Sequence, residues 1–103
     1  MKTTIAGTEI DVNEEGYLTD ASQWNEAIAA AIAAEENVGP LTDAHWKIIQ
    51  HLREKHAADE QVTIRSLNKS GVAPTKEFYA LFPKGPLKKA ARIAGVPKPA
   101  GCI

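Results

Sequence analysis

Cysteine is scarce in this sequence: Cys102 is the only one among 103 residues. A single thiol cannot build an internal disulfide framework, and no second cysteine is present to complete a CxxC redox motif or a zinc knuckle. Any chemistry of this thiol must therefore involve another molecule. The cysteine stands in the segment "GVPKPAGCI", residues 95–103.

Long hydrophobic runs are also absent. No apolar stretch approaches the roughly 18 residues of a membrane span, and the first residues lack the basic start and apolar stretch of a signal peptide. We therefore expect a cytoplasmic protein with no membrane association. A chain of 103 residues, 44% hydrophobic and 24% charged, fits one small domain.

Negative charge is missing from the C-terminal part of the chain. Residues 1–37 hold eight acids against Lys2 alone, whereas no acid follows Phe78. The bases in this last part are Lys84, Lys88, Lys89, Arg92 and Lys98. Such a basic segment either attracts an acidic partner surface or forms a solvated lysine face, and charge alone leaves both interpretations open.

Alternating apolar and polar residues near the N terminus predict β-structure. The segment "TTIAGTEIDVNEEGYLTD" alternates around Gly7 and Gly16, which favours a hairpin or meander. A helix is predicted over "QWNEAIAAAIAAEEN", with Asp20 or Ser22 as its cap and Gly39-Pro40 as its stop.

Four further segments predict helices. The first begins after Thr42 and places Trp46, Ile49, Leu52 and His56 on one side. The other three have local start or stop signals, which are Thr63 and Gly71, then Thr75 as a cap, then Pro86 and Gly95.

Beyond Gly95, Pro97 and Pro99 exclude helix and favour an extended arm. We therefore divide the chain into a domain at 1–94 and an arm at 95–103 that carries the cysteine. Nine residues at roughly 3.1 Å each could reach about 28 Å. The pattern is typical of a swinging carrier of a reactive group; the alternative is an incidental thiol on an unstructured tail.

The other candidate chemistries are weaker. His45, His51 and His56 are six and five residues apart, which is not the i, i+4 spacing of two zinc ligands on one helix face, so no metal is expected. No phosphate-binding loop or Ser-His-Asp order is present, so we expect no cofactor and no self-contained active site. Residues 64–82 could form a helix-turn-helix, but the near-neutral pI makes nucleic-acid binding a minor alternative.

The segment "LFPKGPLKKAARIAGVPKPAGCI", residues 81–103, resembles the C-terminal signature of the DsrC/TusE family. That signature is an LFP-x-GP turn, a basic helix, IAG-x-PKP and a penultimate cysteine. Upstream, the chain is similar to the family's GYL, tryptophan and LT-x-x-HW landmarks. The stretch between Leu67 and Phe78 is shorter than in well-known members, which points to a different relay or a regulatory role if that stretch contacts partners.

The resemblance implies an α+β fold, in which a small β-meander or hairpin packs against about five helices and an extended, proline-containing arm follows. It implies a sulfur carrier with a persulfide on Cys102. Dissimilatory members have a second cysteine eleven residues earlier, where this chain has Ala91. A one-cysteine relay resembles the TusE type, which receives sulfur from the TusBCD complex and passes it to the MnmA thiouridylase for tRNA 2-thiouridine.

Two alternatives stay open. One is a DsrC-like partner of dissimilatory sulfite reductase, or of other sulfur-oxidation or reduction enzymes, without the two-cysteine chemistry. The other is a sulfur-responsive regulator that binds DNA or protein. In each case five bases are candidates for contact with a docked arm or a partner, or are ordinary solvated charges: Arg65, Lys84, Lys88, Arg92 and Lys98.

Overall fold

The computed structural model describes residues 1–99, and the predicted carrier residue Cys102 lies outside the described residues. The chain begins with an antiparallel hairpin of β1 (Lys2–Ile5) and β2 (Thr8–Asp11). Ala6 and Gly7 both have positive φ, as the tight turn of a two-residue hairpin requires. A bridge between Val12 and Leu18 adds a further pass, so the predicted hairpin or meander is confirmed.

The first helix starts later than predicted. Asp20 caps only a short 3-10 turn, Ala21–Gln23, by accepting a hydrogen bond from the backbone N–H of Ser22. Asn25 then has an extended backbone and caps α1 (Glu26–Glu35), with its side chain accepting from the N–H of Ile28 at 2.9 Å. The predicted cap is therefore wrong. Trp24 precedes α1, so its indole can form contacts with a different part of the domain.

Helix α2 (Asp43–Ala57) is positioned by a histidine at its start. The N–H of Thr42 donates to Nδ1 of His45 at 3.0 Å, so the proton of this ring is on Nε2, which donates to the carbonyl of Leu81 at 2.9 Å. His45 thus joins the start of α2 to the end of a later helix, as a capping and packing residue. On the predicted apolar face Ile49 and Leu52 are buried, but His56 is exposed.

Three shorter helices complete the domain: α3 (Ile64–Ser70), α4 (Thr75–Leu81) and α5 (Pro86–Ala94). Thr63 caps α3 and Gly71 ends it in the left-handed conformation, as predicted. Thr75 is the first residue of α4 and not its cap, because Pro74 occupies the cap position. The two-stranded hairpin with five α-helices confirms the predicted α+β fold.

Helix α5 is the central helix of the core. It packs against α1, α2 and α4. Pro86 stands at its first turn, as predicted. Six of its nine residues are buried: Pro86, Leu87, Ala90, Ala91, Ile93 and Ala94. Three of the six are alanines, which let neighbouring helices approach closely.

Arg92 on α5 connects three parts of the fold. Its Nε donates to the carbonyl of Gly16 at 3.1 Å, and its two Nη atoms lie 2.8 Å from Glu36 and 3.1 Å from Glu35. The side chain is only 15% exposed. All three guanidinium nitrogens are thus engaged by other parts of the domain. Contact of Arg92 with a docked arm or a partner stays a prediction.

We predict that Arg92→Met lowers the free energy of unfolding by about 1–3 kcal/mol. The variant loses the hydrogen bond to the turn that contains Gly16 and, at the same time, the charge-assisted hydrogen bonds to the end of α1. Urea denaturation followed by circular dichroism measures this. The matched control is Lys84→Met, a basic residue exposed between α4 and α5. Equal stability of the two variants would contradict the role given to Arg92.

A second prediction concerns His51, which is half-buried on α2. Burial, and to a lesser extent the charge of Lys55, lowers the pKa of His51 below its usual value near 6.5, while Glu54 acts weakly in the opposite direction. The unfolded chain therefore binds more protons than the folded chain as pH falls below about 6.5, and stability is lost over that range.

We expect His51→Gln to reduce the loss of stability between pH 7.5 and pH 5.5, measured by urea denaturation at both values. His56→Gln is the control, since that side chain is exposed near the end of the same helix. An unchanged pH dependence in His51→Gln would show that another group is responsible.

Candidate functional site

The arm leaves the domain at a glycine that no other residue replaces easily. Gly95 ends α5 with φ of 71°, and the N–H groups of Gly95 and Val96 return to carbonyls of the last turn of the helix. A Cβ on residue 95 would lie 2.5 Å from Cδ1 of Trp24. Both the left-handed backbone and the neighbouring indole therefore require glycine here.

Two side chains hold the carbonyl groups at the end of α5. The indole Nε1 of Trp24 donates to the carbonyl of Ile93 at 2.8 Å, and Nη1 of Arg53 donates to the carbonyl of Ala94 at 2.8 Å. These carbonyls have no hydrogen-bond partner within the helix, and the two side chains supply the missing donors. We call Trp24, Arg53 and Gly95 the α5 clamp.

Trp24 and Arg53 also support each other. The guanidinium carbon of Arg53 lies 4.0 Å from the centre of the Trp24 ring, in a cation–π contact. Burial lowers the pKa of Arg53, but a guanidinium stays charged at neutral pH. A positive charge at the C-terminal end of a helix is favourable with respect to the helix dipole. The root of the arm is therefore fixed by packing and by electrostatics.

The described part of the arm lies along the body of the domain. Val96 is buried, Pro99 is half-buried, and Nζ of Lys98 lies 2.9 Å from a carboxylate oxygen of Glu15. The expected reach of about 28 Å, counted from Gly95, is therefore an upper limit.

A cavity of about 140 Å³ lies beside the arm. Its walls come from the end of α2, the segment that follows it, α5 and the arm itself, and they include Leu52, His56, Val62, Leu87, Ala91 and Pro99. Ala91, the position of the second cysteine in dissimilatory members of the family, is completely buried. The side chain at position 91 is a methyl group, so the cavity wall contains no thiol with which a cysteine of the arm could react.

The candidate contact residues occupy different surroundings. Arg65 is exposed on α3, and Lys84 is exposed between α4 and α5 with a positive φ of 60°. Lys88 is half-buried on α5, and its carbonyl accepts from the Tyr17 hydroxyl at 3.5 Å. Of the five bases, Arg92 and Lys98 both reach the turn at residues 13–16, one from α5 and one from the arm.

Sequence reasoning missed three residues that determine where the arm lies. Trp24 was predicted to lie within a helix, and no role was predicted for Arg53. Glu15 was counted only as one of eight acids in residues 1–37. Each acts across a long sequence separation, so no local pattern marks it. The local signals for this region were the glycine after the last helix and the two prolines that follow it, Pro97 and Pro99.

The structure also bears on the metal, membrane and helix-turn-helix interpretations. Among residues 1–99, no group of three or more histidine, cysteine or acidic side chains is placed to hold a metal ion. In the same part of the chain, none of the helices has the length and apolarity needed to cross a bilayer. Helices α3 and α4 do follow each other closely, and Tyr79 is 48% exposed on the second.

We predict that Gly95→Ala destabilises the protein by about 3 kcal/mol, because the left-handed backbone costs roughly 1 kcal/mol and the clash with Trp24 adds to it. Thermal unfolding measures this. Gly71→Ala is the matched control: Gly71 also ends a helix at positive φ, but nothing lies within 4 Å of a Cβ added there. If both variants lose the same stability, the contact with Trp24 is unimportant.

Comparison with known proteins agrees with this architecture. A family model described as DsrC like protein matches residues 4–103. Sulfurtransferase TusE of Salmonella typhimurium is 43% identical, and the alignment covers 94% of this chain and 95% of that protein. Sulfurtransferase TusE of Escherichia coli is 40% identical with the same coverage.

Solved structures give the same result. Dissimilatory sulfite reductase I (DsrI) matches with a TM-score of 0.86 at 34% identity and full coverage of both chains. The NMR structure of Allochromatium vinosum DsrC matches with a TM-score of 0.80 at 35% identity, covering 99% of this chain and 97% of that one. From its sequence and its fold, this chain belongs to the DsrC-like family.

Proposed function

We propose that this protein is a sulfur carrier in a relay, which takes up sulfane sulfur as a persulfide on Cys102 and passes it to an acceptor protein. The observation that carries the proposal is the position of the only cysteine, on an arm whose root is held by the α5 clamp. The relatives named sulfurtransferase TusE support the same activity.

The transfer needs only exchange between sulfur atoms. The Cys102 thiolate attacks the outer sulfur of a donor persulfide, a new S–S bond forms to Cys102, and the donor leaves as a thiolate. An acceptor thiolate then attacks the outer sulfur on Cys102 and releases the Cys102 thiolate. Each step breaks one S–S bond and makes another, so no external oxidant or reductant is consumed.

The arm and the domain have separate tasks in this mechanism. The fixed root gives the arm a defined origin, while glycine beside the cysteine leaves little bulk to obstruct a partner's site. Proline residues reduce the conformational entropy that the arm loses on entering a cleft. The donor and acceptor proteins then supply whatever acid–base groups the exchange requires.

We further propose that the relay is the one for tRNA 2-thiouridine in the cytoplasm, with a TusBCD-like donor and an MnmA-like acceptor. The identity of 40% or more to TusE proteins over nearly the whole chain supports this. Ala91 supports it as well, because a chain with one thiol cannot close an intramolecular disulfide or trisulfide.

A second candidate is a partner of dissimilatory sulfite reductase or a related sulfur enzyme, and the structural match to DsrI favours it. In that role Cys102 would exchange sulfur only with thiols of other proteins. A regulator that binds nucleic acid is a weaker candidate, since a pI of about 6.3 is unfavourable for binding a polyanion.

The test of carrier chemistry is the intact mass of the protein after incubation with a persulfide donor. We expect a gain of about one sulfur atom that a reducing agent removes, and no gain in Cys102→Ser. The absence of any adduct in the wild type, with several donors, would overturn the proposal. Transfer of labelled sulfur from the loaded protein to an MnmA-like acceptor, but not to a sulfite reductase, separates the two relays.

A further inference from the structure

Within the described part of the arm, residues 95–99, one charged contact joins the arm to the domain. Lys98 is the only charged side chain in residues 95–103, and its Nζ lies 2.9 Å from Oε2 of Glu15, a residue 83 positions earlier. The side chains of Lys98 and Glu15 are 40% and 57% exposed. Water and salt can therefore compete with the pair, so the contact can open without disturbing the core.

Glu15 is presented to the arm by a rigid turn. The side-chain oxygen of Asn13 accepts from the N–H groups of Glu15 at 2.9 Å and Tyr17 at 3.1 Å. The carbonyl of Gly16 accepts from Arg92, and a Cβ on residue 16 would lie 3.0 Å from Nε of that arginine. Arg92 therefore holds the backbone next to Glu15, the residue whose carboxylate meets Lys98.

The other end of the contact is restricted too. Only two residues separate Lys98 from Gly95, which the α5 clamp holds, and one of them, Val96, is buried. With both its root and its charged residue held, the arm is directed along the domain, beside the wall that contains Ala91. Cys102 is only four residues beyond Lys98.

We propose that the Lys98–Glu15 ion pair is a reversible latch, which holds the described part of the arm, residues 95–99, along the domain and so restricts the movement of the thiol toward other proteins. The inference rests on the proposed function, since access to this thiol matters only for a carrier. An exposed pair of this kind changes the ratio of held to released arm by up to about fivefold. The latch therefore biases the position of the arm, and a partner can release it.

The single cysteine makes the test direct, because a nitroxide spin label can be attached to Cys102 alone. Electron paramagnetic resonance then reports the ratio of mobile to immobilised label. This readout is preferable to the alkylation rate of the thiol, since a charge change near the cysteine alters thiolate content by itself. The variants are Glu15→Lys, Lys98→Glu and the double exchange of both charges.

We expect each single variant to raise the ratio of mobile to immobilised label about two- to fivefold, and the double exchange to return it toward the wild-type value. High salt should shift the wild type in the same direction as the single variants. Glu14→Lys is the matched control, because Glu14 is exposed in the same turn and changes the net charge equally.

The latch is overturned if Glu15→Lys leaves the spectrum unchanged, if Glu14→Lys produces the same change, or if the double exchange fails to restore it. The spectra do not depend on sulfur transfer. The sulfur adduct on unlabelled wild-type protein is measured separately, so failure of the latch and failure of the carrier chemistry give different results.

Discussion

The hydrogen bonds at the end of α5 are the constraint on which the rest of the arrangement depends. This helix is buried over most of its length, and its last carbonyls would be left without partners if Trp24 and Arg53 were elsewhere. The Trp24 side chain also leaves space only for glycine at position 95. The contacts that end the helix therefore also fix the point at which the arm begins.

The turn at residues 13–16, which follows the hairpin, also makes two kinds of contact. Arg92 binds its backbone from the core, and Lys98 binds its Glu15 side chain from the arm. The first contact is largely sheltered from water and stabilises the fold, whereas the second is exposed and adds little to stability. The turn therefore makes one sheltered contact with Arg92 of the core and one exposed contact with Lys98 of the arm.

The features predictable from sequence were those with local causes. Thr63 caps a helix with its side chain, whereas Gly71, Pro86 and Gly95 act through their own backbone. Each was placed correctly as a helix signal. The start of α1 was not, because Asp20, Ser22 and Asn25 are all suitable caps and only the tertiary position of Trp24 decides between them. The same limit applies to Arg92, whose partners lie 56 to 76 residues away along the chain.

The weakness of the Lys98–Glu15 pair is consistent with the work of a carrier. A buried ion pair would hold the arm firmly, but removing the lysine would then leave an unpaired carboxylate in a poorly solvated site, at a cost of several kcal/mol. An exposed pair contributes only about 0.2–1 kcal/mol, whereas binding a partner with micromolar affinity provides about 8 kcal/mol. A small part of the binding free energy is enough to free the arm. The strong contacts therefore belong at its root, where movement would misdirect the thiol, and the weak contact belongs near the thiol, where movement is needed.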